Sequence, residues 1–120
     1  MKYIRTGDGK LFEYNADFVK KFQLVWWQKE LIEKNEGKFY LDGEIVVYKV
    51  ADTIEELCDE FVFIDEFFKR KHRLAYSLEN ALARCKYHDV DITTLRGAIW
   101  TDKGLIYVAK MNSEGELELL

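Results

Sequence analysis

Residues 96–111, RGAIWTDKGLIYVAKM, constrain the fold more than any other stretch, because strand composition and turn chemistry agree along their whole length. Ala98, Ile99 and Trp100 run into Thr101-Asp102-Lys103-Gly104, and Leu105, Ile106, Tyr107, Val108 and Ala109 run out. β-branched and aromatic side chains suit a pleated surface, and Gly104 supplies the positive φ that ends a type I turn with a bulge. A β-hairpin is expected. Trp100, Leu105 and Tyr107 fall on one parity and Ile99, Ile106 and Val108 on the other. That distribution predicts a central pair covered on both faces.

Further turn signals divide the rest. Gly7-Asp8-Gly9 separates two short strands between Lys2 and Tyr14. Asp42-Gly43 separates Phe39-Tyr40-Leu41 from a core-strand run, Ile45-Val46-Val47-Tyr48-Lys49-Val50. Ser113-Glu114-Gly115 precedes residues 116–120, an edge strand whose glutamates discourage further pairing. Asn15 is placed to cap a helix with Asp17 in its first turn, and Gly37 to close it. Phe18, Phe22, Val25 and Ile32 fit helical spacing, whereas FQLVWW over 22–27 suits a buried strand equally. Helix is expected over most of 16–34, with 22–27 open between helix and strand.

Thr53-Ile54-Glu55-Glu56 carries a capping box, in which Thr53 accepts from the third helical amide and Glu56 reaches back to the Thr53 amide. Ile54, Leu57, Cys58 and Phe61 then stand at i, i+3, i+4 and i+7. A short helix is expected, followed by a strand at Phe61-Val62-Phe63-Ile64. Residues 66–76 read either as the start of one long helix or as a loop before a helix capped by Ser77; 78–86 are helical in both cases.

With 120 residues the chain is expected to be a single domain over 1–120, and without proline or low-complexity sequence it should fold along nearly its whole length. A net charge of −4 argues against affinity built on bulk attraction to phosphates or anionic lipid. The N-terminal residues lack a signal-peptide pattern and no stretch has the length of an apolar span, so the expectation is a cytoplasmic protein without membrane partners. Cys58 and Cys85 form neither a CxxC pair nor metal-ligand spacing with His72 and His88, and read as reduced, largely buried thiols.

Three surfaces are candidates for binding. Residues 51–68 hold seven acids and no base, and Glu55, Glu56, Asp59 and Glu60 on the outward face of the short helix could dock a basic partner. A solvated face is the plainer reading. Lys69, Arg70, Lys71 and Arg73, with His72 among them, form the one basic run, and phosphate binding is the hypothesis they invite. Five adjacent residues on a helix point all round its axis, so pairing with the acidic block is the plainer account. Trp26 and Trp27, with Tyr40, could make a stacking platform or a contact with a second copy of the chain. Side chains of neighbouring helical residues diverge by about 100°, so one of the two indoles is expected at the surface.

Chemistry has little to stand on. No nucleophile elbow, phosphate-cradling glycine loop or HExxH motif occurs, so no catalytic, cofactor-binding or metal-ligating residue is assigned. His88 with Asp89 and Asp91 could orient an acid-base group, although a polar loop is the simpler account.

The stretches ADTIEELCDEFV (51–62) and GAIWTDKGLIYVAKM (97–111), with KYIRT and Asp8-Gly9 near the start, resemble small proteins encoded by phages and prophages of Gram-positive bacteria, staphylococcal ones included. The resemblance implies a phage accessory protein acting in the host cytoplasm on a host or phage protein. It transfers no catalytic residue, since no activity is established for such proteins.

The fold expected is α+β, a twisted antiparallel sheet of about six or seven strands with two or three helices. The function expected is a non-enzymatic protein-interaction module. Alternatives are a nucleic-acid-binding accessory factor using the 69–73 run and an enzyme without a recognisable motif.

Overall fold

The computed structural model describes residues 1–65 and 70–120, with side chains described outside 64–73. The class is α+β, but the strands fall into two sheets, of four and five strands, in place of one sheet of six or seven. Each sheet belongs to one of two compact units, Met1–Leu57 and Cys58–Leu120.

The first unit contains β1 (Tyr3–Thr6), β2 (Leu11–Glu13), α1 (Ala16–Lys21), α2 (Trp26–Glu33), β3 (Tyr40–Leu41) and β4 (Ile45–Ala51), with antiparallel sheet order β2-β1-β4-β3. The turn between β1 and β2 is tied by the Thr6 hydroxyl, which bonds the Asp8 carboxylate and the Lys10 carbonyl. Ile4, Phe18, Phe22, Leu24, Ile32, Phe39, Leu41, Val47 and Val50 form the core. The β1–β4 register shifts at Arg5/Thr6, so Tyr48 is an extra residue and both Tyr48 and Lys49 are exposed between the buried Val47 and Val50.

Asn15 caps α1 as expected, its side chain accepting from the Phe18 amide. The single helix expected over 16–34 is instead two, and 22–27 is neither continuous helix nor strand. Gln23 takes a φ of 48°, and the Leu24 amide donates to the Val19 carbonyl, which closes α1. The core requires this break. Phe22 and Leu24 both reach it, and residues two apart cannot share one face of a helix. Gly37 does not close α2; Asn35, at φ 57°, does, with the Glu36 amide donating to the Leu31 carbonyl.

The second unit contains β5 (Glu60–Asp65), β6 (Arg70–Ala75), α3 (Leu78–Tyr87), β7 (Arg96–Thr101), β8 (Gly104–Met111) and β9 (Leu117–Leu119), ordered β6-β5-β7-β8-β9 and antiparallel throughout. The β7–β8 hairpin stands where expected, with Gly104 at φ 103°. Its two faces differ at the turn end: Ile99 and Val108 are buried, whereas Trp100 and Tyr107 are exposed, so cover on both sides does not extend to the tip. A Cβ on Gly97 would lie 2.7 Å from Cys58 Sγ and 3.2 Å from Ala109 Cβ, which makes glycine a packing requirement there.

Phe61, Phe63, Ala75, Ala81, Cys85, Leu95 and Met111 form the core of this unit, joining α3 to the sheet. Ser77 caps α3 by accepting from the Asn80 amide. Residues 70–75 are strand, not helix or loop, because β6 pairs with β5 from Phe61↔Ala75 to Asp65↔Arg70.

The helix expected from Thr53 shrinks to one 3₁₀ turn, Glu55–Leu57. Both bonds of the capping box form, from Thr53 N–H to Glu56 Oε2 and from Glu56 N–H to Thr53 Oγ1. The turn stops because the next residues enter the sheet: the Asp59 amide donates to Ala98, and Glu60 pairs with Ala98 in register. Ile54, Leu57 and Phe61 are buried all the same, so the apolar spacing marks burial correctly and helix length wrongly.

Candidate interaction surface

Breaking the helix at Gln23 resets the angular phase of everything after it. In α2 the residues turned to the core are Gln28 and Ile32, at i and i+4, which leaves Trp26 and Trp27 outside. Trp26 is 74% exposed and Trp27 43%. Trp27 keeps one edge-to-face contact, with the buried Phe39 at 6.0 Å between ring centres. Val25, at the N-cap of α2, is exposed next to them, and Tyr40 on β3 is 60% exposed.

Gln28 holds this surface together. Its Oε1 accepts from the Val25 amide at 2.9 Å, satisfying one of the orphan donors at the start of α2. Its Nε2 donates to the Tyr40 carbonyl at 3.1 Å, closing the outer edge of β3. One buried amide thus fixes the entry of α2 and ties it to the backbone of β3 at Tyr40. The Val25-x-x-Gln28 spacing, the second half of a capping box, is the sequence signal that would have found it.

The acidic candidates do not form one face. Glu55 and Glu56 are exposed on the 3₁₀ turn. Asp59 is half-buried and its Oδ2 accepts from the Trp100 amide at 2.8 Å, so it is a link within the sheet. Glu60 is 7% exposed, and its Oε2 has no hydrogen-bond partner among the described residues. The outward helical face expected for the four acids therefore does not exist.

Lys69 of the basic run lies outside the described residues. The backbone of Arg70, Lys71, His72 and Arg73 is part of β6, with Arg73 in register with Phe63 and Arg70 with Asp65, so the run is not helical.

The proposed acid-base trio is occupied by backbone work. His88 is the C-cap of α3, Asp89 takes the left-handed position after it at φ 52°, and Asp91 caps the following 3₁₀ turn by accepting from the Thr93 amide and hydroxyl. Those two bonds hold the Asp91 carboxyl below the usual range. Cys85 is buried in the core with its thiol pushed up by burial, and Cys58 is half-buried. Among the described residues no three His, Cys, Asp or Glu side chains gather as a metal site. Among the described residues no helix is long and apolar enough to cross a membrane.

No family model, curated protein or solved structure matches the chain.

Proposed function

We propose that the chain is a non-catalytic protein-interaction module that docks its partner on the surface of Val25, Trp26, Trp27 and Tyr40. The observation that carries this reading is the exposure of two adjacent indoles on a helix whose orientation is fixed by a buried glutamine. Aromatic side chains are enriched at protein interfaces, where they bury large areas at little rotamer cost. A fixed aromatic surface also spares the partner the ordering cost of a mobile one. The likeness of 51–62 and 97–111 to phage-encoded proteins supports a partner drawn from a bacterial host or from the phage itself, met in the host cytoplasm.

Site-specific photo-cross-linking in a Gram-positive host tests the proposal. A benzoylphenylalanine at position 26 should give a discrete protein adduct that disappears when Trp27 and Tyr40 are replaced by alanine. The same probe at the exposed Tyr87, on the end of α3, should not give it. Equal adducts from both positions, or none from position 26, would refute the docking surface.

A further inference from the structure

We infer that the outer edge of β9 is a second docking site, which takes an extended segment of a partner protein with alternating basic and apolar residues as a further antiparallel strand. β9 ends its sheet, with β8 on one side and no strand on the other. The Glu116 carbonyl accepts from the Asn112 amide at 2.9 Å, and the Leu120 amide donates to the Val108 carbonyl at 3.1 Å. Hydrogen-bonded and non-bonded pairs alternate along an antiparallel ladder. Residues 116, 118 and 120 therefore turn their backbone groups to β8, and Leu117 and Leu119 turn theirs away. Among the described residues those outward amides and carbonyls have no partner. Two other edges are closed by a side chain: Gln28 Nε2 takes the Tyr40 carbonyl on β3, and Arg84 Nη1 takes the Leu74 carbonyl on β6. β2 also ends its sheet, but Lys10 and Glu13 give that edge both signs of charge.

An added strand pairs its side chains with those of β9 row by row. Leu117 and Leu119 share one face, in register with Met111 and Ala109, and Leu117 packs on the core that holds α3. Both leucines are half-buried, so apolar side chains of a next strand would continue that cover. On the opposite face Glu116 and Glu118 are exposed. Glu118 lies in register with Lys110, the one base between 110 and 120, and accepts from Asn112 Nδ2 at 3.0 Å. Arg96, across from Lys110 on β7, directs its guanidinium to the Thr93 and Leu95 carbonyls. Glu114 in the preceding turn is a third exposed acid, and among the described residues neither its carboxylate nor that of Glu116 is in an ion pair. Glutamates in this position set like charge against like when β9 meets β9 of a second copy. The same glutamates favour a strand with lysine or arginine at every other residue.

The test uses the isotope-labelled full chain and a blocked hexapeptide alternating lysine and valine. At low salt the peptide should shift the Leu117 and Leu119 amide resonances and slow their exchange with solvent, and a glutamate-valine hexapeptide should do neither. N-methylation at the valines, whose amides would face β9, should abolish the effect, and N-methylation at the lysines, whose amides would face solvent, should leave it. L119P removes a donor that is unpaired in the chain itself and should lower peptide affinity about tenfold. The methylated peptides decide the matter even where L119P disturbs the fold. E116Q/E118Q should weaken binding severalfold and flatten its salt dependence, whereas D42N/E44Q, an equal change of charge on the β3–β4 turn, should leave both as they are. W26A, on the surface proposed above, should also leave the peptide affinity unchanged, so the two sites fail separately. Unslowed exchange at Leu117 and Leu119, equal binding of the glutamate peptide, or any other pattern of loss on methylation would overturn the inference. Self-association in sedimentation that L119P abolishes would overturn it too, because the edge would then belong to a second copy.

Discussion

Two parts of this protein expose tryptophan, and they do so by different means. In the β7–β8 hairpin, Trp100 is exposed because strand alternation puts it there, with its amide fixed by Asp59 and its partner in register at Leu105. In the first unit, Trp26 and Trp27 are exposed because the chain leaves the helical path at Gln23 and re-enters it in a new phase. The hairpin's exposure follows from a local period of two. The exposure on α2 depends on a single left-handed residue and one buried amide. A tryptophan on a strand that the sheet must place somewhere carries little functional information, whereas a pair held outward by dedicated contacts does.

The largest expected effect tests the sheet side of that contrast. Phe61→Ala removes a buried ring that joins β5 to α3 and should cost about 3–5 kcal/mol in denaturant unfolding. A loss below about 1 kcal/mol would mean that the hairpin does not depend on that core. Gln28→Leu tests the other side. It leaves the Val25 amide and Tyr40 carbonyl without partners and should cost about 1–3 kcal/mol, while raising the acrylamide accessibility of Trp27 as its contact with Phe39 loosens. Unchanged quenching would show that Gln28 does not fix α2.

The two indoles should separate from one another. Trp27→Ala should cost about 1 kcal/mol through its lost ring contact, and Trp26→Ala should fall within about 0.5 kcal/mol of the parent. Comparable losses would mean that Trp26 is a structural residue after all. Gln23→Gly should gain about 0.5–1 kcal/mol in thermal melts, since glycine adopts a φ of 48° without strain from a Cβ. A destabilised Gln23→Gly would argue that its side chain, not its backbone, sets the break.

The smallest effect lies on the rim of the first unit. Lys2 bonds Asp52 at 2.9 Å, and Asn35 adds a second donor. The Lys2 bond, followed by that from Asn35, lowers the Asp52 carboxyl from its ordinary 3.8. A carboxylate with a lowered folded-state pKa stabilises the fold above its unfolded value and loses that contribution as pH falls through the lowered one. The difference in melting temperature between the parent and D52N should therefore shrink below about pH 3.8. A difference that stays constant across that range would show that the pair contributes nothing.

The starts of α1 and α3 were legible, and the break that ends α1 and starts α2 was not. Asn15 and Ser77 cap α1 and α3 where their side-chain chemistry announced it, because capping needs an oxygen at one position and little else. All three helices end on a left-handed residue that is not glycine, namely Gln23, Asn35 and Asp89. Only the gain of closing a core justifies that backbone strain, and the core is not visible from local composition. The same blindness hid the interaction surface, since the expectation for 22–27 turned on whether the helix runs through.

By itself the sequence determined the α+β class, the three hairpins, the starts of α1 and α3 and many of the apolar positions that become buried. These rest on periods of two and on side chains acting within four residues of themselves. Tertiary structure alone decided that the strands form two sheets, that 55–57 is one turn and not a helix, that 70–75 is a strand, and that Glu60 is buried while Trp26 faces outward. In each case pairing with a distant strand, or closure of a core across the unit, outweighed a local preference worth at most about 1 kcal/mol per residue.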